Sequence, residues 1–283
     1  MKKIKRALIS VSNKKNLKPL LNILKENKIE IISSGGTYEE IKRLKFNSAK
    51  VSEFTGSYEI LGGRVKTLHP KIYAGILYKR NDKSHYKDLI KNNFQNIDLV
   101  VVNFYPFEDI IRKTSSHKKI IENIDIGGPT MVRAAAKNYN DVTVITSHEQ
   151  YDDLINEMKK LKGATSQSFR QKMSQLAFSE TAYYEAVISN YFNSITKNQF
   201  PKKKIIYGNL IEKLRYGENP HQKGAIYSIN KSLDIKQLHG KQLSYNNYND
   251  IFSALSISKS LPKNKGTVII KHANPCGVSI LKD

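Results

Sequence analysis

Ile97-Asp98-Leu99-Val100-Val101-Val102-Asn103 is apolar at both odd and even positions, so a strand built from it buries both faces. That pattern marks an interior strand of a parallel sheet, because an antiparallel strand with one wet face alternates. Working outward, Ala7 to Val11, Ile29 to Ile32 and Val142 to Ile145 read as further buried strands. Lys15 to Lys25 places Leu17, Leu20, Leu21 and Leu24 at helical spacing, and Tyr38 to Leu44 and Pro129 to Lys137 also read as helices, with Pro129 suited to a first turn. The alternation predicts an α/β layered domain around a parallel sheet.

Beyond it, Gln150 to Leu161 and Thr165 to Tyr191 read as long helices. The polar stretch 196–204 breaks the pattern with Pro201 and no periodicity, so it reads as a linker between a domain at 1–195 and a second segment at 205–283. In that second segment, Ile205 to Tyr207, Ala225 to Ser228 and Thr267 to Lys271 read as strands, and Tyr248 to Lys259 as a helix.

The chain carries 47 Lys and Arg against 25 Asp and Glu, so its formal charge is 47 − 25 = +22. Such an excess suits a nucleic-acid-binding protein, which is the first rival reading. Against it, the lysines are scattered, and the local runs at Lys118-Lys119 and Lys202-Lys203-Lys204 are short. The single cysteine, Cys276, excludes an internal disulfide framework and a Cys-rich zinc module. No run approaches the roughly 18 apolar residues of a spanning helix, and a cytoplasmic location is expected.

Four segments of the first domain carry polar chemistry. Ser34-Gly35-Gly36-Thr37 stands where a strand hands over to a helix, so its backbone could cradle a phosphate, with Ser10, Ser12 and Lys14 at the same sheet edge. In Gly62 to Pro70, Arg64 and Lys66 project to one side if the segment is extended, which suits an anionic or polarised oxygen; His69 reads as a hydrogen-bonded loop anchor. Asn103 to Phe107 closes the central strand with an amide and Tyr105, which could relay a proton. Asp125 precedes a helix on which Thr130, Arg133 and Lys137 share one face at about 100° per residue, and it either faces that stripe or caps the helix. In the second segment, Arg215 to Gln222 forms a dense polar block, and a buried strand is expected to deliver Lys271 and His272, an oxyanion donor and a base, into a turn at Pro275 to Gly277. Pro275-Cys276 lacks the second thiol of a zinc site, so no metal is expected.

Taken in order, these segments resemble the bifunctional family of purine biosynthesis that joins IMP cyclohydrolase to AICAR formyltransferase. The resemblance implies a methylglyoxal-synthase-like parallel-sheet domain followed by an incomplete cytidine-deaminase-like α/β domain. It implies cyclisation of FAICAR to IMP by the first, with no bound cofactor, and formylation of AICAR by the second, with 10-formyltetrahydrofolate as co-substrate. By motif, Ser12, Lys14, Ser34, Gly36, Thr37, Arg64 and Thr67 would hold the nucleotide's phosphate and sugar, with Ser10, Gly35 and Val65 also among the substrate-binding residues. Lys66 and Tyr105 would serve the departing formyl oxygen. Asp125 and Lys137 would assist deprotonation of the attacking carboxamide, and Asn103 and Ile126 would touch the base. Arg215 and Tyr216 would contact AICAR, His272 would accept the amine proton, and Lys271 would stabilise the formyl oxygen.

The resemblance further implies small ribonucleotide and folate partners, a homodimer, and neither membrane nor specific nucleic-acid binding. Members of the family run further, and the 283 − 204 = 79 residues after the linker match only the opening of a formyltransferase domain. The expectation is therefore a competent cyclohydrolase joined to a formyltransferase part that is inactive alone or completed by a separate chain. A nucleotide-sensing module without catalysis is the second rival.

Overall fold

The computed structural model describes residues 1–230, 232–233, 235–263 and 265–280. It divides into two compact units, Met1–Lys202 and Lys203–Asp283. The first contains β1 (Lys2–Lys3), β2 (Arg6–Val11), α1 (Leu17–Glu26), β3 (Glu30–Ser33), α2 (Gly35–Arg43), β4 (Ala49–Lys50) and α3 (Val51–Thr55). After a single 3₁₀ turn at Leu61–Gly63 come α4 (Pro70–Leu77), α5 (Lys83–Lys91), β5 (Leu99–Asn103), α6 (Phe107–Lys113), α7 (His117–Glu122) and α8 (Gly127–Lys137). It closes with β6 (Thr143–Ile145), α9 (Tyr151–Lys160), β7 (Ala164–Thr165) and α10 (Gln167–Ile195).

Five strands form one parallel sheet in the order β4-β3-β2-β5-β6. Leu99 to Val102 are all buried, as the two-sided apolar pattern requires, and α8 packs on β5 and β6 with α10 and α4 packed on α8. Ala134, Ala135 and Ala136 are buried on α8, so small side chains let the helix lie close to its neighbours. The sheet grows from β2 toward β4 on one side and from β5 toward β6 on the other, so its topological switch lies between β2 and β5. Ligand sites of open α/β sheets form outside the carboxyl ends of the strands at such a switch.

At the opposite edge, the same strand pair is tied by one buried carboxylate. Asp98 accepts from the N–H groups of Lys5 (2.9 Å) and Arg6 (3.2 Å) and from Asn96 Nδ2 (2.6 Å), and pairs with Arg80 at 3.3 Å. Asp98→Ala strands these donors and leaves Arg80 without its carboxylate, so urea unfolding is expected to show a loss of about 3–5 kcal/mol. A loss below 1 kcal/mol would contradict this account.

The second unit contains β8 (Asn209–Lys213) paired antiparallel with β9 (Ala225–Ser228), α11 (Tyr245–Ser258), and an antiparallel hairpin of β10 (Gly266–Lys271) and β11 (Asn274–Ile280). Three sequence expectations are corrected here. Ile205 to Tyr207 is not a strand; the strand lies later, at β8. The strand leading to Lys271 is not buried, since β10 alternates exposed and half-buried residues. Nor does the chain turn at Pro275 to Gly277: it reverses at His272-Ala273, both at positive φ (52° and 59°), and runs on through Pro275 as β11. Positive φ at two central positions is the geometry of a tight two-residue hairpin turn, which residues other than Gly and Asn rarely signal in sequence. The expected second domain's final residues, 281–283, lie outside the described residues.

Candidate active site

The carboxyl ends of β2 and β5 are clasped together by an amide. Asn103 Oδ1 accepts from the N–H groups of Ser12 (2.7 Å) and Asn13 (2.9 Å) and from Ser12 Oγ (3.0 Å), while its Nδ2 donates to Asn13 O at 3.1 Å. Ser12 Oγ also reaches Phe104 O at 2.6 Å. Thr37 is equally committed to the scaffold: its buried hydroxyl accepts from Val11 N at 2.9 Å and lies 3.1 Å from Val11 O. Asn103, Ser12 and Thr37 therefore shape the site by fixing where β2 and β5 stop and where α2 starts.

The glycine turn opens α2 itself, one turn earlier than the helix read from Tyr38 onward. Gly35 takes φ +48° to make the entry, and the first N–H groups of a helix have no acceptor in a preceding turn. Two ammonium groups gather there. Lys14 Nζ lies 3.8 Å from where a Cβ on Gly36 would stand, and Lys66 Nζ lies 3.4 Å from the corresponding point on Gly35. Ser10 Oγ and Ser34 Oγ are 3.3 Å apart beside the turn. Two cations, a helix N-terminus and hydroxyls make a concentrated anion-binding corner.

Thr67 links this corner to a titratable one, since its buried hydroxyl lies 2.7 Å from where a Cβ on Gly127 would stand, at the start of α8. Asp125 caps that helix through Gly128 N–H (2.8 Å), and the Tyr105 N–H also reaches its carboxylate. The Asp125 N–H donates to Tyr184 Oη at 2.8 Å. Burial pushes the Asp125 carboxyl above its ordinary value despite the two N–H groups that hold it down. Burial also raises the Tyr73 and Tyr184 hydroxyls to about 12, so both stay protonated beside Asp125 at neutral pH. Tyr105, half exposed, stands at the rim.

Not every expected residue joins this rim. The segment 62–66 is not extended: after the 3₁₀ turn Arg64 is helical, and Arg64 and Lys66 diverge, the former pairing with Glu122 and the latter with Glu59 at 3.0 Å. Val65 bridges back to Ile60, and Ile126 is exposed at the cap of α8. Thr130, Arg133 and Lys137 do share the exposed stripe of α8. Lys137, however, ends that helix about 15 Å along the axis from Gly127, where it lines a separate cavity with Lys2, Lys79, Asp141 and Arg170. Within one chain it does not meet Asp125. His69 caps α4, its Nδ1 accepting from Lys71 N at 3.1 Å, as the loop-anchor reading expects. Sequence reasoning missed Glu59 and Tyr184: an isolated glutamate in a loop and a tyrosine on a long helix give no local signal.

In the second unit, the Arg215 guanidinium lies 4.9 Å from the Tyr216 ring centroid, and hydrogen bonds to Ser244 and then Arg215 draw the Tyr216 hydroxyl below its ordinary value. Tyr216 O accepts from Tyr245 N, at the first turn of α11 (3.2 Å). Farther along α11, Asp250 holds the hairpin turn after Lys271 and His272 by accepting from Ala273 N at 2.7 Å. Lys271 and His272 are exposed.

Comparison with known proteins places the chain in a family. A pattern described as MGS-like domain matches residues 16–130, and one described as AICARFT/IMPCHase bienzyme matches residues 135–283. The chain is similar to proteins named bifunctional purine biosynthesis protein PurH: 43% identity over 280 residues in Cereibacter sphaeroides and 46% over 286 residues in Prochlorococcus marinus, each covering 97% of this chain. It spans about half the length of these curated relatives, 53% and 55%. Among solved structures, one titled as the crystal structure of ForH superposes with a TM-score of 0.60 at 28% identity, covering 67% of this chain and 99% of that one. With its motifs in family order, its parallel sheet in place and more than half its length matched by the bienzyme pattern, the chain belongs to the AICARFT/IMPCHase bienzyme family.

Proposed function

We propose that the first unit cyclises FAICAR to IMP. The observation that carries this reading is the continuity of one rim: the anion corner at Lys14, Gly35 and Gly36, with the Lys66 ammonium at its edge, joins through Thr67 and Gly127 the half-buried carboxylate of Asp125. A ribose phosphate anchored at the first places its base toward the second. In the reaction the carboxamide nitrogen attacks the formyl carbon, and the formyl oxygen leaves as water with one proton from that nitrogen and one from the formamido nitrogen. Asp125, with its raised proton affinity, takes the carboxamide proton, and Lys66 with Tyr105 donates to the departing oxygen. Orientation supplies much of the remaining acceleration, because both reacting groups belong to one molecule.

The second unit supports a formyltransferase reading at the level of family membership, with 10-formyltetrahydrofolate as donor to the AICAR amine. There Arg215 and Tyr216 would bind AICAR, Lys271 would stabilise the formyl oxygen and His272 would take the amine proton. A homodimer acting on these small molecules in the cytoplasm completes the proposal; among the described residues no helix is long and apolar enough to cross a membrane.

The test is an absorbance assay of FAICAR conversion to IMP, with formyl transfer assayed separately. Turnover lost in Lys66→Ala and Asp125→Ala with IMP binding retained supports catalysis. IMP binding without turnover by the unaltered chain would favour the nucleotide-sensing rival.

A further inference from the structure

Glu59 belongs to none of the motifs above, yet three features of the chain are built around its partner. Its Oε2 lies 3.0 Å from Lys66 Nζ. The Lys66 side chain passes Gly63, which sits at φ +89°; a Cβ there would stand 2.7 Å from Lys66 Cε, 3.2 Å from Nζ and 3.6 Å from Glu59 Oε2. At the far end, Gly35 leaves room for the same ammonium beside the start of α2, 3.4 Å from its missing Cβ. Gly63 thus clears the passage, Glu59 fixes the end of the side chain, and Gly35 receives it.

Lys14, the other cation of the corner, is held differently. It donates to Ser12 O at 3.4 Å and reaches Glu40 only through longer-range charge. A phosphate dianion draws on positive charge that no carboxylate balances at contact distance, which Lys14 supplies. The Lys66 charge is balanced by a carboxylate at contact distance, so its pull on a phosphate is reduced while its donor direction is fixed. Such an ammonium suits a neutral carbonyl oxygen that must receive a hydrogen bond along one line.

The geometry points to Glu59 as a positioning residue that divides labour between the two lysines: Lys14 holds the phosphate, and Lys66, held by Glu59, is aimed at the departing formyl oxygen. This inference rests on the cyclohydrolase reading. It is tested by steady-state cyclisation of FAICAR by the 283-residue chain and its Glu59→Gln, Lys14→Met, Lys66→Met and Glu59→Gln/Lys66→Met variants. Glu59 is exposed, so Glu59→Gln is expected to keep the wild-type Tm. It should lower kcat roughly ten- to hundredfold with KM changed by no more than about twofold. Lys14→Met should do the reverse, raising KM about tenfold with a much smaller effect on kcat. In the Lys66→Met background Glu59→Gln should cost nothing further, because its effect passes through that ammonium. A Glu59→Gln enzyme that loses only KM, or an added loss in the Lys66→Met background, overturns the inference. Unaltered Glu59→Gln kinetics beside an active wild type remove it alone, whereas an inactive wild type removes the cyclohydrolase reading and this inference with it.

Discussion

Asp125→Asn should abolish most cyclisation while leaving the protein folded, with kcat reduced roughly 100- to 10,000-fold, the range of a lost general base. The isosteric amide still accepts from Gly128 N–H, so the cap of α8 survives. The pH dependence follows from burial. Because the native carboxyl has a higher proton affinity than the unfolded one, the native state binds more protons just above the ordinary carboxylate range, and stability falls as pH rises through that window. Two measurements check this. The acid limb of kcat/KM should lie above that of an ordinary carboxylate, and at neutral pH the Asn variant should unfold at no lower urea concentration than the wild type. An Asn variant with near wild-type kcat would remove Asp125 from the chemistry.

Gly128→Ala should produce nearly as large a loss without touching an ionisable group. A Cβ at this position would stand 2.9 Å from Asp125 Cγ and nearer still to Oδ2, closer than real contacts allow, and 3.1 Å from Oδ1, tighter than most. Gly128 is buried at the start of α8, so the Asp125 side chain is the part that yields, and it gives up its bond to Gly128 N–H as it rotates. Misplacing the carboxylate by about 1 Å is expected to cost on the order of 100-fold in kcat. The stability change should stay within about 1–2 kcal/mol, because one side chain rather than the core is displaced. Steady-state kinetics and urea unfolding on the same preparation decide it: unchanged kcat would show that Asp125 tolerates rotation and is not held for catalysis.

The two predictions differ in how they could be foreseen. Asp125 is legible in the linear chain because a carboxylate just before Gly127-Gly128-Pro129 is a helix-entry signal, and the helix is found there. The closeness of Gly128 to that carboxylate is a matter of rotamer and entry angle. The same division runs through the site. Lys14 and the Gly35-Gly36 turn could be assigned to one sheet edge because buried apolar runs announce parallel strands, and parallel strands bring their carboxyl ends to one side. The partners of Arg64 and Lys66 could not be assigned so, since Arg64 takes helical backbone angles after the turn at Leu61–Gly63 and the alternation of an extended segment is lost. Lys137 shows the limit of periodicity: its place on the stripe with Thr130 and Arg133 is right in angle, yet it lies at the other end of the helix from Asp125.

The amino-acid sequence alone determines the parallel α/β layering of the first unit and the residues that terminate its strands, because hydrophobic period and glycine placement act over a few neighbouring residues. Only the tertiary structure decides that Asn103 and Thr37 serve as clasps, that Glu59 meets Lys66, that Tyr184 meets Asp125, and that the second unit reverses at His272-Ala273. Those outcomes depend on distances between segments tens of residues apart, and such distances exist only once the strands have paired and the helices have packed.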